Sequence, residues 1–524
     1  MEGTFWAFLP AIIAIILALV TKQVYISLFL GIFVGAIMFA GGDPLKALFT
    51  LYQVMSEKVG SNTPIIVFLV VLGILVVLMQ KSGGARAYGD WAGKKIKSKG
   101  GALAATAGLG CLIFVDDYFN CLTVGSVMRP VTDKFKIARS KLAYIIDATA
   151  APICIIAPIS SWAAAVAGEL EGDGLMVFMS TIPFNVYAIL TIVMVFALCF
   201  LRFDFGKMKR NDLYADRTGD VHAGITNDGA AETVLDANPN GKVRHLLIPV
   251  VILILCCIGG MLYTGFFYNW DTGLIGTELQ SANFIEAFSN CDAGLSLAIG
   301  STVALFIIAV YYMFAQVVSF KDVMGSFTEG FKAMVPAILI LTFAWSISGI
   351  MGAKGGYLDA QAFVENNLAN SAFPQFLFPA IFFVLAGAIA FATGTSWGTF
   401  GVLVPIAVTI LGGSGTLTIL TVSATLGGAV FGDHISPISD TTILASAGAQ
   451  CNHVEHVNTQ LPYAALVAGI AFVAYLIAGA CVGLGSVLSC VIMWVSALAL
   501  FVGVVFLIKY LTKKKEAQQP TENE

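Results

Sequence analysis

Charge is what this sequence has least of. Only 11% of its 524 residues are Asp, Glu, Lys or Arg, whereas 58% are hydrophobic and the mean hydropathy is +0.87. A soluble domain carries about 25% charged residues, so the composition excludes a soluble globular protein and predicts a polytopic membrane protein. Other absences narrow the class further. The start, Met1-Glu2-Gly3, lacks the basic stretch of a secretory signal, and the apolar run Phe5–Val20 meets Lys22 without a small-residue cleavage site, so it reads as a first spanning helix. The ten cysteines are scattered, mostly inside apolar runs, with no Cys-x-x-Cys pair, which argues against a metal or disulfide framework. No Gly-x-x-x-x-Gly-Lys-Ser/Thr segment is present to hold a nucleotide's phosphates, so any work done on a solute would draw on an ion gradient. Neither a cofactor nor a nucleic-acid partner is expected; membrane lipid is.

Long hydrophobic runs are what is there. A crossing needs ~20 apolar residues, and the runs 4–21, 24–41, 64–80, 142–167, 175–201, 246–267, 293–318, 333–352, 416–446, 461–483 and 486–510 predict about eleven spanning helices. Two further runs, 101–128 and 375–412, fit a single crossing badly. One carries Asp116 and Asp117 at its middle and the other Gly394-Thr395-Ser396-Trp397-Gly398, so both read as re-entrant hairpins whose tips must be buried in protein or line water. Loop charge sets the orientation. Lys81, Arg86, Lys94, Lys95, Lys97 and Lys99 precede the first hairpin, and Arg129, Lys134, Lys136, Arg139 and Lys141 follow it; the tail carries Lys509, Lys513, Lys514 and Lys515. The positive-inside rule makes all three cytoplasmic. Glu169, Glu171 and Asp173, then Asp271, Glu278, Glu286 and Asp292, sit in loops without Lys or Arg and belong outside. The alternation runs from an external N-terminus to a cytoplasmic C-terminus. The hydrophilic stretch 202–244 falls inside and reads as a linker, with Thr218–Asn240 disordered.

The segment Gly432-Asp-His-Ile-Ser-Pro-Ile-Ser-Asp-Thr-Thr442 interrupts an apolar run that has no charge from Leu417 to Phe431. Ionisable groups at membrane depth are costly and mark ion or proton paths. Proline and glycine break the helix there, freeing carbonyls and half-helix ends that can coordinate a cation. An echo lies in the first half, where Ala157-Pro-Ile-Ser-Ser161 parallels Ser436-Pro-Ile-Ser-Asp440. Each follows a hairpin and each breaks a helix, but the two helices run in opposite directions. The pattern is that of an inverted repeat, with 1–201 as first repeat, 202–244 as linker, 245–483 as second repeat and 484–524 as an extra span and tail.

Phe114-Val-Asp-Asp-Tyr-Phe-Asn120, Gly125-Ser-Val-Met-Arg-Pro130, Asp147-Ala-Thr-Ala-Ala-Pro152 and the 432–442 segment resemble the NhaC family of sodium/proton antiporters, within the ion-transporter superfamily, over roughly residues 1–510. The resemblance implies an inverted-repeat secondary transporter, usually a homodimer, with a scaffold domain and a mobile transport domain. Several family members have a lysine where this chain has His434, and some relatives exchange organic solutes, so a sodium- or proton-coupled exchanger of a dicarboxylate, lactate or amino acid is the alternative.

Sodium is a hard cation that takes oxygen ligands. The first half offers Asp116, Asp117, Asn120, Thr123, Asp147, Thr149, Ser160 and Ser161; the second offers Thr393, Thr395, Ser396, Asp433, Ser436, Ser439, Asp440, Thr441 and Thr442. Sodium is placed at Asp117, Asp433 and Asp440, with only one of Asp116 and Asp117 facing the site. An antiporter needs carboxylates that take either a proton or a cation, and burial with a nearby cation tunes such groups in opposite directions. His434 has two readings: a proton carrier, or a neutral donor orienting Asp433. His453 and His456 read as part of a solvated cytoplasmic loop. Trp162 and Trp397 read as packing residues. An enzyme is not expected: an intramembrane hydrolase would need a ligand spacing such as His-x-x-x-His within a span. A channel would have no need of titratable carboxylates on broken helices.

The predicted map places Lys95 and Asp228 in the cytoplasm and Glu278 and Asp359 outside. Single-cysteine labelling from each side, in a cysteine-free background, should follow that division. Labelling of position 278 from the cytoplasm would overturn both the map and the inverted repeat.

Overall fold

In the computed structural model, residues 3–518 are described except 22, 171–173, 202, 226–237, 270–273, 277–278, 282–286, 288–290, 352–356, 360–361, 364–373, 413–414 and 438. The loop positions Glu171, Asp173, Asp228, Asp271, Glu278 and Glu286 therefore lie outside the described residues, as does the side chain of Asp440.

The chain is built almost wholly of helices: α1 (Leu9–Thr21), α2 (Val24–Phe39), α3 (Pro44–Ser61), α4 (Thr63–Lys81), α5 (Gly84–Lys95), α6 (Lys99–Leu112), α7 (Asp117–Lys134), α8 (Arg139–Ala148), α9 (Ala151–Cys154), α10 (Ser161–Glu169), α11 (Gly174–Thr181), α12 (Val186–Leu201), α13 (Gly206–Thr218) and α14 (Arg244–Phe267). After a two-stranded ribbon, Tyr268–Asn269 against Leu274–Ile275, come α15 (Ala293–Phe314), α16 (Phe320–Met351), α17 (Phe378–Thr393), α18 (Ser396–Leu411), α19 (Thr416–Ile435), α20 (Asp440–Ala449), α21 (His453–Ala480) and α22 (Ser486–Gln518). Among the described residues eight helices are long and apolar enough to cross a membrane, or up to ten if each bent pair is one span. Of the expected spans, 142–167 falls on three short helices, α8–α10, because the chain turns at Thr149–Ala150 and again at Ala157–Ser160. The amphipathic α3 was not expected; it bends by 119° from α2.

Two apolar clusters form the core. The smaller joins α1, α2 and α3 to Ile347, Ile350 and Met351 of α16, and the larger takes in most of the remaining helices, with Ile340, Leu341 and Trp345 of the same α16. Among the helices long enough to span, the one carrying Asp433 is the most enclosed: 78% of the apolar window of α19 is buried, against 22% for α22. Its approach to α17 is set by glycine. Gly428 and Gly432, four apart on one face of α19, lie against the backbone of Phe383 and Gly387 of α17, leaving no room for a Cβ. Close backbone contact through small residues is how helices associate where hydrophobic burial gives no drive.

Residues 203–225 and 238–244 carry defined contacts, while 226–237, within the 218–240 segment expected to be disordered, lies outside the described residues. Helix α13 packs on the basic face, where Lys141 pairs with Asp204 (2.6 Å) and Asp212 (3.3 Å), and Lys99 with Asp212 and Asp216 (3.0 and 2.9 Å). The Arg139 amide donates to Val221 O, while Asn238 donates its amide to Lys81 O and its side chain to Val317 O. Asp220 accepts the amides of His222 and Gly224, which holds its carboxyl below the usual range. Sequence hydrophilicity marked this segment as a linker, but Asp204, Asp212 and Asp216 are partnered by the buried Lys141 of α8 and the partly exposed Lys99 of α6.

Gly432→Val should drive a side chain into the Gly387 backbone and weaken the fold by about 1–3 kcal/mol, the cost of overpacking. Thermal unfolding of the purified protein in detergent would read this; an unchanged transition would mean α17 and α19 can separate freely.

Candidate functional site

Each half contributes a hairpin and a broken helix to one buried centre. In the first half, α6 and α7 form the hairpin and α8–α10 the broken helix; in the second, α17 and α18 form the hairpin and α19–α20 the broken helix. The sequence echo corresponds to a shared local structure. Ser160 caps α10 by accepting the Ala163 amide, and Ser439 caps α20 by accepting the Thr442 amide, both at 3.1 Å. A serine at the N-cap satisfies a helix-start amide, and here it restarts a helix inside the apolar core.

Asp433, in the last turn of α19, accepts the Ser396 hydroxyl from the second hairpin tip at 2.8 Å and the Thr441 hydroxyl from α20 at 3.2 Å, both on Oδ2. Asp147, in α8 of the first half, accepts the Thr442 hydroxyl (2.9 Å) and the Gln460 amide of α21 (2.7 Å), again on one oxygen. The same Gln460 nitrogen donates to His434 O at 2.7 Å. Asp147 and Asp433 are 0% and 1% exposed. The other oxygen of each carboxyl, Oδ1, is buried and has no hydrogen-bond partner among the described residues. An acceptor left open at this depth is costly unless something fills it. No three His, Cys, Asp or Glu side chains converge among the described residues, so a cation here would be held by a mixed set of carboxylate, hydroxyl and carbonyl oxygens.

The remaining expected residues divide by role. Asp116 and Asp117 are both buried at the first hairpin tip; Asp117 accepts the Trp162 indole at 3.1 Å, and Trp162 packs on Trp397 and Phe400 of the second hairpin. The two tryptophans thus join the hairpin of one half to the broken helix of the other. Asn120 donates to the carbonyls of Gly110 (2.7 Å), Ile113 (3.0 Å) and Thr149 (3.0 Å), closing the hairpin onto the end of α8. The Ser161 amide donates to Val115 O, while its buried hydroxyl has no partner among the described residues. Thr395 caps α18, and Ser436 donates to Phe391 O. The His434 ring bonds the Tyr187 hydroxyl through Nδ1 at 2.9 Å, and its Nε2 is buried without a partner among the described residues.

Two placements differ from expectation. His456 is 0% exposed, packed with Nε2 3.8 Å from Asp147 Oδ2, because α21 begins beneath the broken helix rather than beyond it. Glu169, expected in an external loop, ends α10 with both carboxylate oxygens buried, lacking a hydrogen-bond partner among the described residues, beside Gly401 of α18. Gln460 and Tyr187 were not anticipated. Their only sequence signal was a polar group inside an apolar run.

Apolar helices around a polar centre built from broken helices define a multi-pass membrane protein of the secondary-transporter class. The chain belongs to the Na+/H+ antiporter family, whose profile matches residues 163–480, and it is a secondary antiporter. It is 38% identical over 499 residues to an uncharacterized protein of Haemophilus influenzae, covering 91% of each chain. Shorter similarities link it to the malate-2H+/Na+-lactate antiporter of Bacillus subtilis, 32% identical over 147 residues (27% of this chain, 30% of that one). A further link is to an uncharacterized Na+/H+ antiporter of H. influenzae, 30% identical over 185 residues (33% and 38%).

Asn120→Ala should remove the amide whose two hydrogens are shared among three buried carbonyls, at about 1–3 kcal/mol for each group left unsatisfied. A clear fall in melting temperature is expected; an unchanged one would mean that other contacts hold the hairpin to α8.

Proposed function

We propose that the protein exchanges sodium for protons across the plasma (inner) membrane, N-terminus outside and C-terminus in the cytoplasm, with Asp433 and Asp147 taking a proton or the cation in alternation. The observation that carries this reading is the shared design of the two carboxyls. Each comes from a different half, is fully buried, commits one oxygen to protein hydrogen bonds and keeps the other open. A proton on the open oxygen neutralises the group, and a sodium ion there is drawn by the same charge, so one occupant displaces the other. Ser396, Thr441 and Thr442 hold the carboxyls in place and can turn hydroxyl oxygens to the cation. Asp117 and Asp440 complete the acidic set in this reading, with Asp117 anchored through Trp162. A homodimer in lipid is the assembly that goes with it.

One feature favours a second reading, the coupled exchange of an organic solute. An apolar cavity of about 370 Å3 lies at the break of the first-half helix, lined by Phe114, Ile156, Pro158, Ile159, Ile254 and Met261. A relative's name includes malate and lactate, and such a cavity could take the carbon skeleton of a small acid.

In everted vesicles, added sodium should release protons from the lumen through the wild-type protein. Asp433→Asn and Asp147→Asn should each abolish this while leaving folded protein in the membrane, since the amide keeps the volume but not the charge. Losing a charge-assisted contact costs ~1.5–3 kcal/mol, roughly a tenfold to hundredfold loss of cation affinity. Wild-type exchange in both variants would overturn the assignment, and exchange of a dicarboxylate or amino acid without sodium-dependent proton movement would establish the second reading.

A further inference from the structure

His453 and His456 open α21 one turn apart, and Ser446 of α20 stands between their rings. Its Oγ is 3.1 Å from His453 Nδ1 and 2.9 Å from His456 Nδ1. Each ring turns its other nitrogen to an oxygen that can only accept: His453 Nε2 to Pro437 O at 2.8 Å, and His456 Nε2 to Gln460 Oε1 at 2.9 Å. The Gln460 amide cannot be turned round, because its nitrogen lies 2.7 Å from His434 O, itself only an acceptor. Both Nε2 atoms must therefore carry hydrogen.

That leaves one hydroxyl proton between two Nδ1 atoms. If Ser446 donates to one ring, that ring is neutral; the other Nδ1 must then donate to the serine oxygen, and its ring is cationic. If the hydroxyl instead donates to Thr442 O, 2.7 Å away, both rings must donate to it. The trio is satisfied only when it holds at least one proton more than two neutral imidazoles would, and that proton has two alternative seats. His453 is partly exposed at the start of α21, whereas His456 is sealed in beside Asp147.

We propose that His453, Ser446 and His456 form a proton relay between the partly exposed start of α21 and Asp147. It rests on the reading that Asp147 takes part in proton-coupled exchange. A proton arriving on His453 makes it an imidazolium; its Nδ1–H passes to Ser446 Oγ as the serine's own hydroxyl hydrogen passes to His456 Nδ1. One N–H and one O–H break, one O–H and one N–H form, and the positive charge has moved to the buried ring. His456 then gives its Nε2 proton to the Asp147 carboxylate across the 3.8 Å gap, leaving a neutral carboxyl and an Nδ1–H imidazole whose bare Nε2 faces Gln460 Oε1; that unsatisfied contact is transient and ends when the ring regains its Nε2–H. The reverse sequence carries a proton from Asp147 to the surface when a cation takes its place. Asp147 from α8 and His453 are the titratable groups that act on His456, while Thr442, Ser446 and Gln460 supply its uncharged partners.

The test separates proton delivery from cation handling in the full-length protein reconstituted in liposomes. Sodium-driven proton flux and isotopic sodium/sodium exchange at fixed pH are measured side by side. Ser446→Ala and His453→Gln should each slow the proton-coupled mode by at least about tenfold, as expected when a positioned proton carrier is lost, and leave sodium/sodium exchange near the wild-type rate. His453→Gly should recover proton-coupled flux on addition of imidazole to the His453 side. Equal loss of both modes in Ser446→Ala and His453→Gln would mark these residues as structural and overturn the relay, as would an unchanged ratio of the two rates. Absence of sodium-driven proton movement in the wild type would overturn the antiport reading itself, and the relay with it.

Discussion

A charged or polar group inside the bilayer must find its partners within the protein, because neither lipid nor bulk water will supply them. Asp147 and Asp433 show what that demand does to a fold. Asp433 reaches for a hydroxyl on the second hairpin and one on the following half-helix; Asp147 reaches across to Thr442 and Gln460 of the other half. Each bond ties two elements that share no sequence neighbourhood. The breaks at Thr149–Ser160 and Ser436–Ser439 are tolerated for the same reason, since serine caps and the Asn120 amide take up backbone groups that the interrupted helices leave open. Glycines on α17 and α19 then let the second hairpin lie close enough to the broken helix for Ser396 to meet Asp433.

Much of this was legible in the sequence because it is local. The apolar runs, the two hairpins, the proline-marked breaks and the carboxylates at membrane depth each follow from a short window of residues. The match of Ala157-Pro-Ile-Ser-Ser161 to Ser436-Pro-Ile-Ser-Asp440 even anticipated that Ser160 and Ser439 play one role. What could not be read is the set of partners. Gln460 lies 313 positions from Asp147 and Tyr187 lies 247 from His434, and neither has a motif of its own. His456 was misplaced for a related reason. The opening turn of α21, His453-Val-Glu-His456, has the polarity of a loop, and only the packing of α20 against α8 and α7 reveals that His456 is buried there. Glu169 was misplaced because a loop of acidic residues begins where its helix ends.

The two halves are alike in scaffold and unlike in chemistry. Aligning the breaks puts Ser160 on Ser439, but three positions before the matching segments the first half has Cys154 where the second has Asp433. The first half supplies its carboxylate from a different place, Asp147 at the end of α8, and its hairpin tip carries Asp116 and Asp117 where the second has Thr395 and Ser396. The serine caps are shared but the carboxylates are not, and Asp147 and Asp433 lie in one centre that elements from both parts of the chain enclose. The asymmetry extends to the surroundings. The Asp433 carboxyl accepts from the hydroxyls of Ser396 and Thr441, whereas Asp147 accepts from a hydroxyl and an amide and has the His456 imidazole 3.8 Å away. Two carboxyls of equal burial are thereby placed in unequal company, one poised toward oxygen ligands and the other toward a group that can carry a proton. In the proposed exchange of a cation for a proton, that inequality would give the two occupants different seats, whereas two identical carboxylates would offer both the same environment.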